Sequence, residues 1–144
     1  MNRLLIIKKV KTGCIAFVLL AVLMGCSKDK KVLLNTWWKI QNIKLSKGAD
    51  YSFIYNEEVT LLINDDDGEF FLTSSDFCVI FGRVKVGNSK INFKDKLNTG
   101  FICSQSMNDC ADLLVDKITH YKIYGHKLAL TGKNGVEINC VIKL

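Results

Sequence analysis

The chain has 144 residues, of which 49% are hydrophobic and 24% charged, and it contains no proline. Four of its 20 lysines and arginines lie in the first 25 positions, where there is no acidic residue, so the other 119 residues carry 16 basic against 14 acidic side chains. This near balance excludes the dense positive charge of a nucleic-acid-binding domain. The 119 residues suit one domain with one core.

The first 25 residues have the pattern of an export signal. One arginine and three lysines within residues 3–11 precede an uncharged apolar run at residues 13–22, which is typical of a secretory signal peptide. The run ends in Leu-Met-Gly-Cys at residues 23–26, which resembles the lipobox of bacterial lipoproteins. This resemblance implies cleavage before Cys26, diacylation of its thiol and acylation of the new amino terminus.

The alternative to a cleaved signal is an uncleaved membrane anchor. Residues 12–27 give only 16 uncharged positions, whereas a spanning helix needs about 20 apolar residues. We therefore predict a signal peptide at residues 1–25, a lipidated polar tether at 26–32 and one domain at 33–144. Because residue 27 is serine rather than aspartate, the signal resembles those of outer-membrane lipoproteins, so we expect a lipid-anchored, periplasm-facing protein.

Cysteine usage agrees with export. Cysteine 14 lies in the signal, and beyond the lipid site four cysteines remain: Cys78, Cys103, Cys110 and Cys140. An even number of cysteines in an exported domain predicts disulfides, and four cysteines allow three pairings. One disulfide with two free thiols is an alternative. A four-cysteine zinc site is another, but it favours closely spaced pairs such as C-x2-C, and none is present.

Hydrophobic residues alternate with period two through most of the chain, which predicts β-strands. The predicted strands cover residues 34–40, 59–63, 69–73, 80–86, 91–93, 120–124, 128–130 and 136–144, with a further possible short strand or covering loop at 51–55. A single helical pattern places Ala111, Leu114, Val115 and Ile118 on one face. It predicts one helix at about 107–118, with a capping box from Ser106 to Asp109. The sequence thus predicts a mainly β (α+β) domain.

Four segments carry a family resemblance. Cys-Val-Ile-Phe-Gly-Arg-Val at 78–84, Thr-Gly-Phe-Ile-Cys at 99–103, the stretch 118–130 and the opening Leu-Leu-Asn-Thr-Trp-Trp at 33–38 resemble successive motifs of the META domain, the HslJ-like family of bacterial envelope proteins. The sequence departs from the family's usual Asn at position 79, Gly at 35 and Tyr at 84. These departures affect what the resemblance implies about a shared surface more than what it implies about the fold.

The resemblance implies an antiparallel, barrel-like curved sheet of about seven to eight strands with one helix. It also implies a disulfide between Cys78 and Cys103, which leaves Cys110 to pair with Cys140. The strand and helix patterns agree with that second pairing, because Cys140 falls on the inward face of the last strand and Cys110 borders the apolar face of the helix.

No set of residues forms a recognisable catalytic or metal-binding pattern. His120 and His126 lack a partner at metal-ligand spacing, and the Ser-Ser-Asp at 74–76 has no nucleophile elbow. The acidic turn at 65–67 fails as an EF-hand, because Ile63 would occupy ligand position 1. We predict no catalytic residues, no metal and no cofactor.

Two functions fit these observations. The first is a non-catalytic envelope protein with an interaction or stress-related role, which would meet the membrane through its lipid and an envelope protein through its surface. The second is a pilot-like carrier of an apolar ligand or lipid tail inside an incomplete barrel. Small barrels are usually filled by side chains, and six phenylalanines are available to fill this one, which favours the first. They are Phe53, Phe70, Phe71, Phe81, Phe93 and Phe101. Alternation places Trp37 and Trp38 on opposite faces.

Overall fold

The computed structural model describes residues 29–46, 49–51, 58–64, 67–99 and 103–144. The signal, the lipid site Cys26 and most of the possible strand at 51–55 lie outside the described residues. The described chain begins in a helical turn at 29–33. It continues through β1 (Trp37–Ser46), β2 (Ala49–Tyr51), β3 (Val59–Asn64), β4 (Glu69–Ser74), β5 (Val79–Val86), β6 (Ile91–Asn98), α1 (Gln105–Asp116), β7 (Ile118–Tyr124), β8 (Lys127–Gly132), a 3-10 turn (Lys133–Gly135) and β9 (Glu137–Ile142).

The strands form one antiparallel sheet that curls into a half-barrel. Their order is β6-β5-β4-β3-β1-β9-β8-β7, and β2 adds a short pairing to β1. The two edges approach each other where Lys90 bridges to His120 and the Tyr121 amide donates to the Ser89 carbonyl at 2.9 Å. Helix α1 packs mainly against β6. The predicted mainly β fold, with an antiparallel curved sheet and one main helix, is confirmed.

Alternate residues of the strands fill the concave side, called here the inner face. Along β4, for example, Phe70 and Leu72 are fully buried while Phe71 and Thr73 are only partly buried. The same alternation runs through the other strands, and the helix adds Met107 and Leu114 to the core. This period-two burial is what a sheet with one covered face requires.

Helix α1 begins and ends about two residues earlier than the sequence predicted. Its N-cap is Ser104, whose hydroxyl accepts a hydrogen bond from the Met107 amide at 3.2 Å. The predicted capping box at Ser106 is therefore wrong, because that side chain bonds to the Ser104 hydroxyl instead. At the other end, Ile118 has an apolar position that suits both a helix face and a strand, and it begins β7.

The segment before β1 is also different from the prediction. Residues 29–33 form a helical turn where the sequence predicted the end of a tether, and Leu33 is fully buried. The first strand begins at Trp37 rather than at the predicted residue 34. The Leu33 carbonyl accepts the Trp38 indole N–H at 3.1 Å. The turn is closed by Asn35, which has a left-handed backbone (φ 56°) and donates its amide to Ile63 at 2.7 Å. The fold therefore includes residues that the sequence assigned to the tether.

Gly82 permits close packing where β5 meets a bulge in β6. A Cβ at this position would lie 2.6 Å from the Lys94 carbonyl oxygen and 2.7 Å from the Phe70 ring. Neither approach is compatible with a side chain, so only glycine allows β5 to pack this closely against the bulge and the Phe70 ring.

Candidate functional site: an apolar row on the outer face of the sheet

Five apolar side chains lie side by side on the convex, or outer, face of the sheet. The strand register pairs Trp37 with Leu62, Leu62 with Phe71, Phe71 with Phe81, and Phe81 with Leu97. The five residues, called here the outer row, thus cross β1, β3, β4, β5 and β6 at one level. Directly opposed residues on one face of a sheet contact each other, so the row is a continuous apolar strip.

The two ends of the outer row are the most exposed. Trp37 is 42% exposed and Leu97 is 58% exposed, while the three residues between them are partly buried. The rings of Phe71 and Phe81 stack with their centroids 6.3 Å apart and 25° between their planes. Contacts within the row thus partly bury its three middle side chains. The two end side chains remain exposed and available to contact another molecule.

The position of Phe71 and Phe81 corrects the sequence prediction, which placed both rings in the interior. Phe70 and Phe93 do fill the interior, edge to face at 5.1 Å, and Phe53 and Phe101 lie outside the described residues. The signal that could have located the outer row is the pair of adjacent apolar residues in β3, β4 and β5, where period-two alternation allows only one of each pair to point inward.

Polar groups border the outer row near Trp37. Thr60 and Thr73 share a hydrogen bond of 2.6 Å between their hydroxyls, and both line an open cleft of about 340 Å³ with Trp37 and Lys143. The amide of Lys143 donates to the Trp37 carbonyl at 2.9 Å.

The cleft is bounded by a three-residue charge cluster. Glu58 accepts from Lys39 at 3.0 Å and from Lys143 at 2.9 Å. The hydrogen bond from Lys143, followed by that from Lys39, lowers the pKa of the Glu58 carboxyl. Two ammonium groups on one carboxylate leave a net positive charge beside Trp37. Near the other end of the row, Arg83 and Asp95 form a neutral ion pair.

One of the two expected disulfides is present. Cys78 and Cys103 are bridged, with their Cα atoms 5.3 Å apart, which is the pairing that the family resemblance implied. Cys110 and Cys140 are buried free thiols, so the expected second disulfide is not formed in the structure. Both occupy core positions, one on the inward face of α1 and one in β9, where a thiol packs as a small apolar group.

Burial makes these two thiols inert. Desolvation, with a smaller contribution from Asp109, raises the pKa of the Cys110 thiol to about 12. Desolvation also raises the pKa of Cys140, and the neighbouring Cys110 adds to that rise. Since the thiolate is the reactive form, neither residue is placed to act as a nucleophile.

The other candidates from the sequence are dispersed. His120 is exposed, with its Nδ1 atom 2.9 Å from the Thr119 hydroxyl, and His126 is exposed in the turn after β7. Of the acidic turn, the structure describes only Asp67, which is exposed. Across the described residues, no group of three or more histidine, cysteine, aspartate or glutamate side chains is arranged to hold a metal.

The Ser-Ser-Asp segment at 74–76 lies at the end of β4 and in the turn that follows it. Ser74 has a buried hydroxyl with no hydrogen-bond partner, and Ser75 and Asp76 are exposed in the turn.

A second open cleft, of about 450 Å³, lies between the β5–β6 hairpin and the end of α1, where Lys85, Lys90 and Lys133 surround an apolar floor. In the described part of the chain no helix is long and apolar enough to cross a membrane.

Comparison with known proteins identifies the family. The chain resembles a solved NMR structure of a protein from Burkholderia xenovorans, with TM-score 0.60, 16% identity, and coverage of 78% of this chain and 85% of that one. It also resembles the crystal structure of a DUF4847 family protein from Bacteroides vulgatus ATCC 8482, with TM-score 0.56, 13% identity, and coverage of 78% and 95%. These likenesses show the fold, and no curated protein matched the chain. The family model of the META domain matches residues 31–142, and the chain therefore belongs to the META domain family.

Proposed function

We propose that this META domain protein is a lipid-anchored, non-catalytic protein of the bacterial cell envelope, facing the periplasm, whose domain works by surface contact with other envelope components. The observation that carries the proposal is the division of the sheet's apolar residues. One set fills the interior, and the second set, the outer row, is left on the surface. A partly exposed apolar strip of this kind is characteristic of interaction surfaces.

Two features support the envelope location. The sequence at residues 23–26 has the lipobox pattern, and Cys26 stands only three positions before Asp29, where the described fold begins. The domain would therefore be held close to the membrane. The disulfide between Cys78 and Cys103 fits an oxidising compartment such as the periplasm.

The packed inner face favours an interaction role over that of a carrier. Trp38, Phe70 and Phe93 are fully buried on the concave side of the sheet, together with the inward residues of α1. A carrier would need that space for its ligand. The clefts described above are open and lie at the surface, beside charged side chains.

Lipid anchoring is tested by expressing the full chain with its own signal in a bacterium and measuring its membrane association and intact mass. The wild type is expected in the membrane fraction, cleaved before Cys26 and carrying acyl chains. Cys26→Ala should abolish both properties. Cys14→Ala is the matched control, since it removes a cysteine of the same signal without touching the lipid site. An unacylated, water-soluble wild type would contradict the proposal.

The carrier alternative is tested on the same purified protein. Native mass spectrometry of the wild type should show the acylated chain alone. A stoichiometric apolar molecule, bound non-covalently and lost in a variant with a changed inner-face aromatic, would favour the carrier instead.

A further inference from the structure

We propose that the outer row docks on the surface of the bilayer that holds the lipid anchor, so that the outer face of the sheet lies against the lipid headgroups. This inference rests on the lipid anchoring proposed above and names the partner of the same surface. It assigns the row to lipid rather than to a protein or to a second copy of the chain.

The path of the chain brings the outer row to the membrane. The Asn35 amide donates to the Ile63 carbonyl at 2.7 Å, so the chain enters the fold beside Leu62, which belongs to the row. Two residues separate Cys26 from Asp29, and residues 29–33 are helical. From these lengths Trp37 lies at most about 30 Å from the lipidated residue along the chain. The anchor therefore holds the Trp37 end of the row within reach of the bilayer.

The side chains of the row suit a membrane interface. Tryptophan is favoured at the boundary between headgroups and acyl chains, because its ring is apolar and its N–H is polar. Trp37 stands at the tethered end of the row, and the exposed Leu97 stands at the other. Between them, the stacked rings of Phe71 and Phe81 provide a shallow apolar strip with polar borders.

The charge beside Trp37 complements an anionic membrane. Lys39 and Lys143 share the single carboxylate of Glu58, which leaves a net positive charge at that end. Lysines at this position can extend to anionic headgroups while their stems cover apolar surface. The neighbouring Thr60 and Thr73 hydroxyls satisfy each other with a hydrogen bond of 2.6 Å, so the polar border of the row carries no unpaired hydroxyl there.

The size of the row argues against a stable protein interface. Such an interface buries about 800 Å² on each partner and involves roughly 20–30 residues a side. The outer row supplies five side chains, three of which are already partly buried against each other. A tethered domain needs much less contact to dock on a bilayer, because the anchor keeps its local concentration high.

The two adjacent tryptophans make docking measurable. The mature lipidated protein is reconstituted in vesicles of phosphatidylethanolamine and phosphatidylglycerol, with and without brominated acyl chains, which quench nearby tryptophans. Docking predicts that brominated lipid removes a component of the wild-type emission, and that this component is missing in Trp37→Phe, where only the buried Trp38 emits. Leu97→Glu should restore the Trp37 emission, because a carboxylate on the row is repelled by the anionic headgroups. Thr131→Glu, an exposed position on β8, is the matched control and should be quenched like the wild type.

Three results would overturn the inference. The first is the absence of any Trp37-dependent quenching. The second is equal quenching of the wild type and Leu97→Glu. The third is shielding of Trp37 that depends on protein concentration and not on lipid, which would assign the row to a second copy. The intact mass of the same preparation reports acylation of Cys26 independently. If the chain is not acylated the proposed function fails, and quenching of the protein added to preformed vesicles then tests docking by itself.

Discussion

The inner and outer faces of the sheet use the same residue types for different purposes. Trp38 is fully buried and donates its indole N–H to Leu33, whereas Trp37, one residue earlier, is 42% exposed. Phe70 packs edge to face inside the barrel, whereas Phe71 stacks on Phe81 outside it. Because successive residues of a strand point to opposite faces, the position along the strand decides whether an aromatic ring stabilises the fold or is available for contact.

Truncating the two neighbouring phenylalanines of β4 should show the largest difference in stability between the inner and outer faces. Phe70→Ala should lower the free energy of unfolding by about 3–5 kcal/mol, because it opens a cavity beneath the Phe93 ring. Phe71→Ala should cost only about 1–2 kcal/mol, since its ring is partly solvated and loses one stacking partner. Urea unfolding followed by tryptophan fluorescence measures both values. Equal losses would contradict the division into two faces.

The disulfide should contribute almost as much as an inner-face ring. Cys78 and Cys103 are 25 positions apart, and closing a loop of that length stabilises the fold by about 3–4 kcal/mol in the chain-entropy account. Reduction of the wild type should therefore lower its melting temperature to that of a Cys78→Ala, Cys103→Ala double variant. The double variant itself should not respond to reductant. A response there would show that a different disulfide is present.

The pH dependence of the free energy of unfolding tests whether the Cys110 thiol is buried on the inner face. Burial raises the pKa of Cys110 from 9.0 to about 12, so above pH 9 the unfolded chain loses this proton before the native chain does. Stability attributable to the thiol is complete below pH 9 and is lost as the pH rises toward 12. Unfolding at increasing pH, compared between the wild type and Cys110→Ala, measures the difference.

Counting the thiols decides between the structure and the sequence prediction. In the mature acylated protein, two thiols should react with a thiol reagent after unfolding without reductant, and both should react very slowly in the native state. If no thiol reacts after unfolding, Cys110 and Cys140 are bridged, as the sequence alone indicated.

The smallest effect is expected on the outer face, in the charge cluster. Hydrogen bonds from Lys143 and Lys39 hold the pKa of Glu58 below its ordinary value of 4.5. The associated stabilisation is present at neutral pH and is lost as the pH falls through the lowered pKa. Because the cluster is exposed, this stabilisation is small. Lys143→Met should raise the carboxyl pKa more than Lys39→Met does, as measured by NMR titration.

The sequence predicted the strands well where apolar and polar residues alternate, as in β9, where Ile138 and Cys140 are buried. It misplaced the ends of α1, since Ser104 and Ser106 are both suitable caps and Ile118 fits two periodicities. It also missed the helical turn at 29–33. Leu33 is buried there in the core of the folded chain, and its carbonyl accepts the Trp38 indole N–H; neither contact follows from the local hydrophobic pattern.

The candidate site was less predictable than the fold. Each adjacent apolar pair in β3, β4 and β5 shows that one member must point outward, but only the strand register shows that Leu62, Phe71 and Phe81 lie at one level. The order of the strands then brings in Trp37 and Leu97 from distant parts of the chain. A surface assembled from five strands depends on pairing, and the sequence alone does not specify the pairing.

The most direct test of the difference between the two faces is acrylamide quenching of tryptophan emission in residues 27–144, prepared without lipid or detergent, with Trp37→Phe as the comparison. Because Trp37 is exposed on the outer face and Trp38 is buried on the inner face, the wild type should contain one readily quenched and one protected tryptophan. Trp37→Phe should retain only the protected one. Equal quenching of the two proteins would show that Trp37 is not accessible on the outer face, and would contradict the outer row as a contact surface.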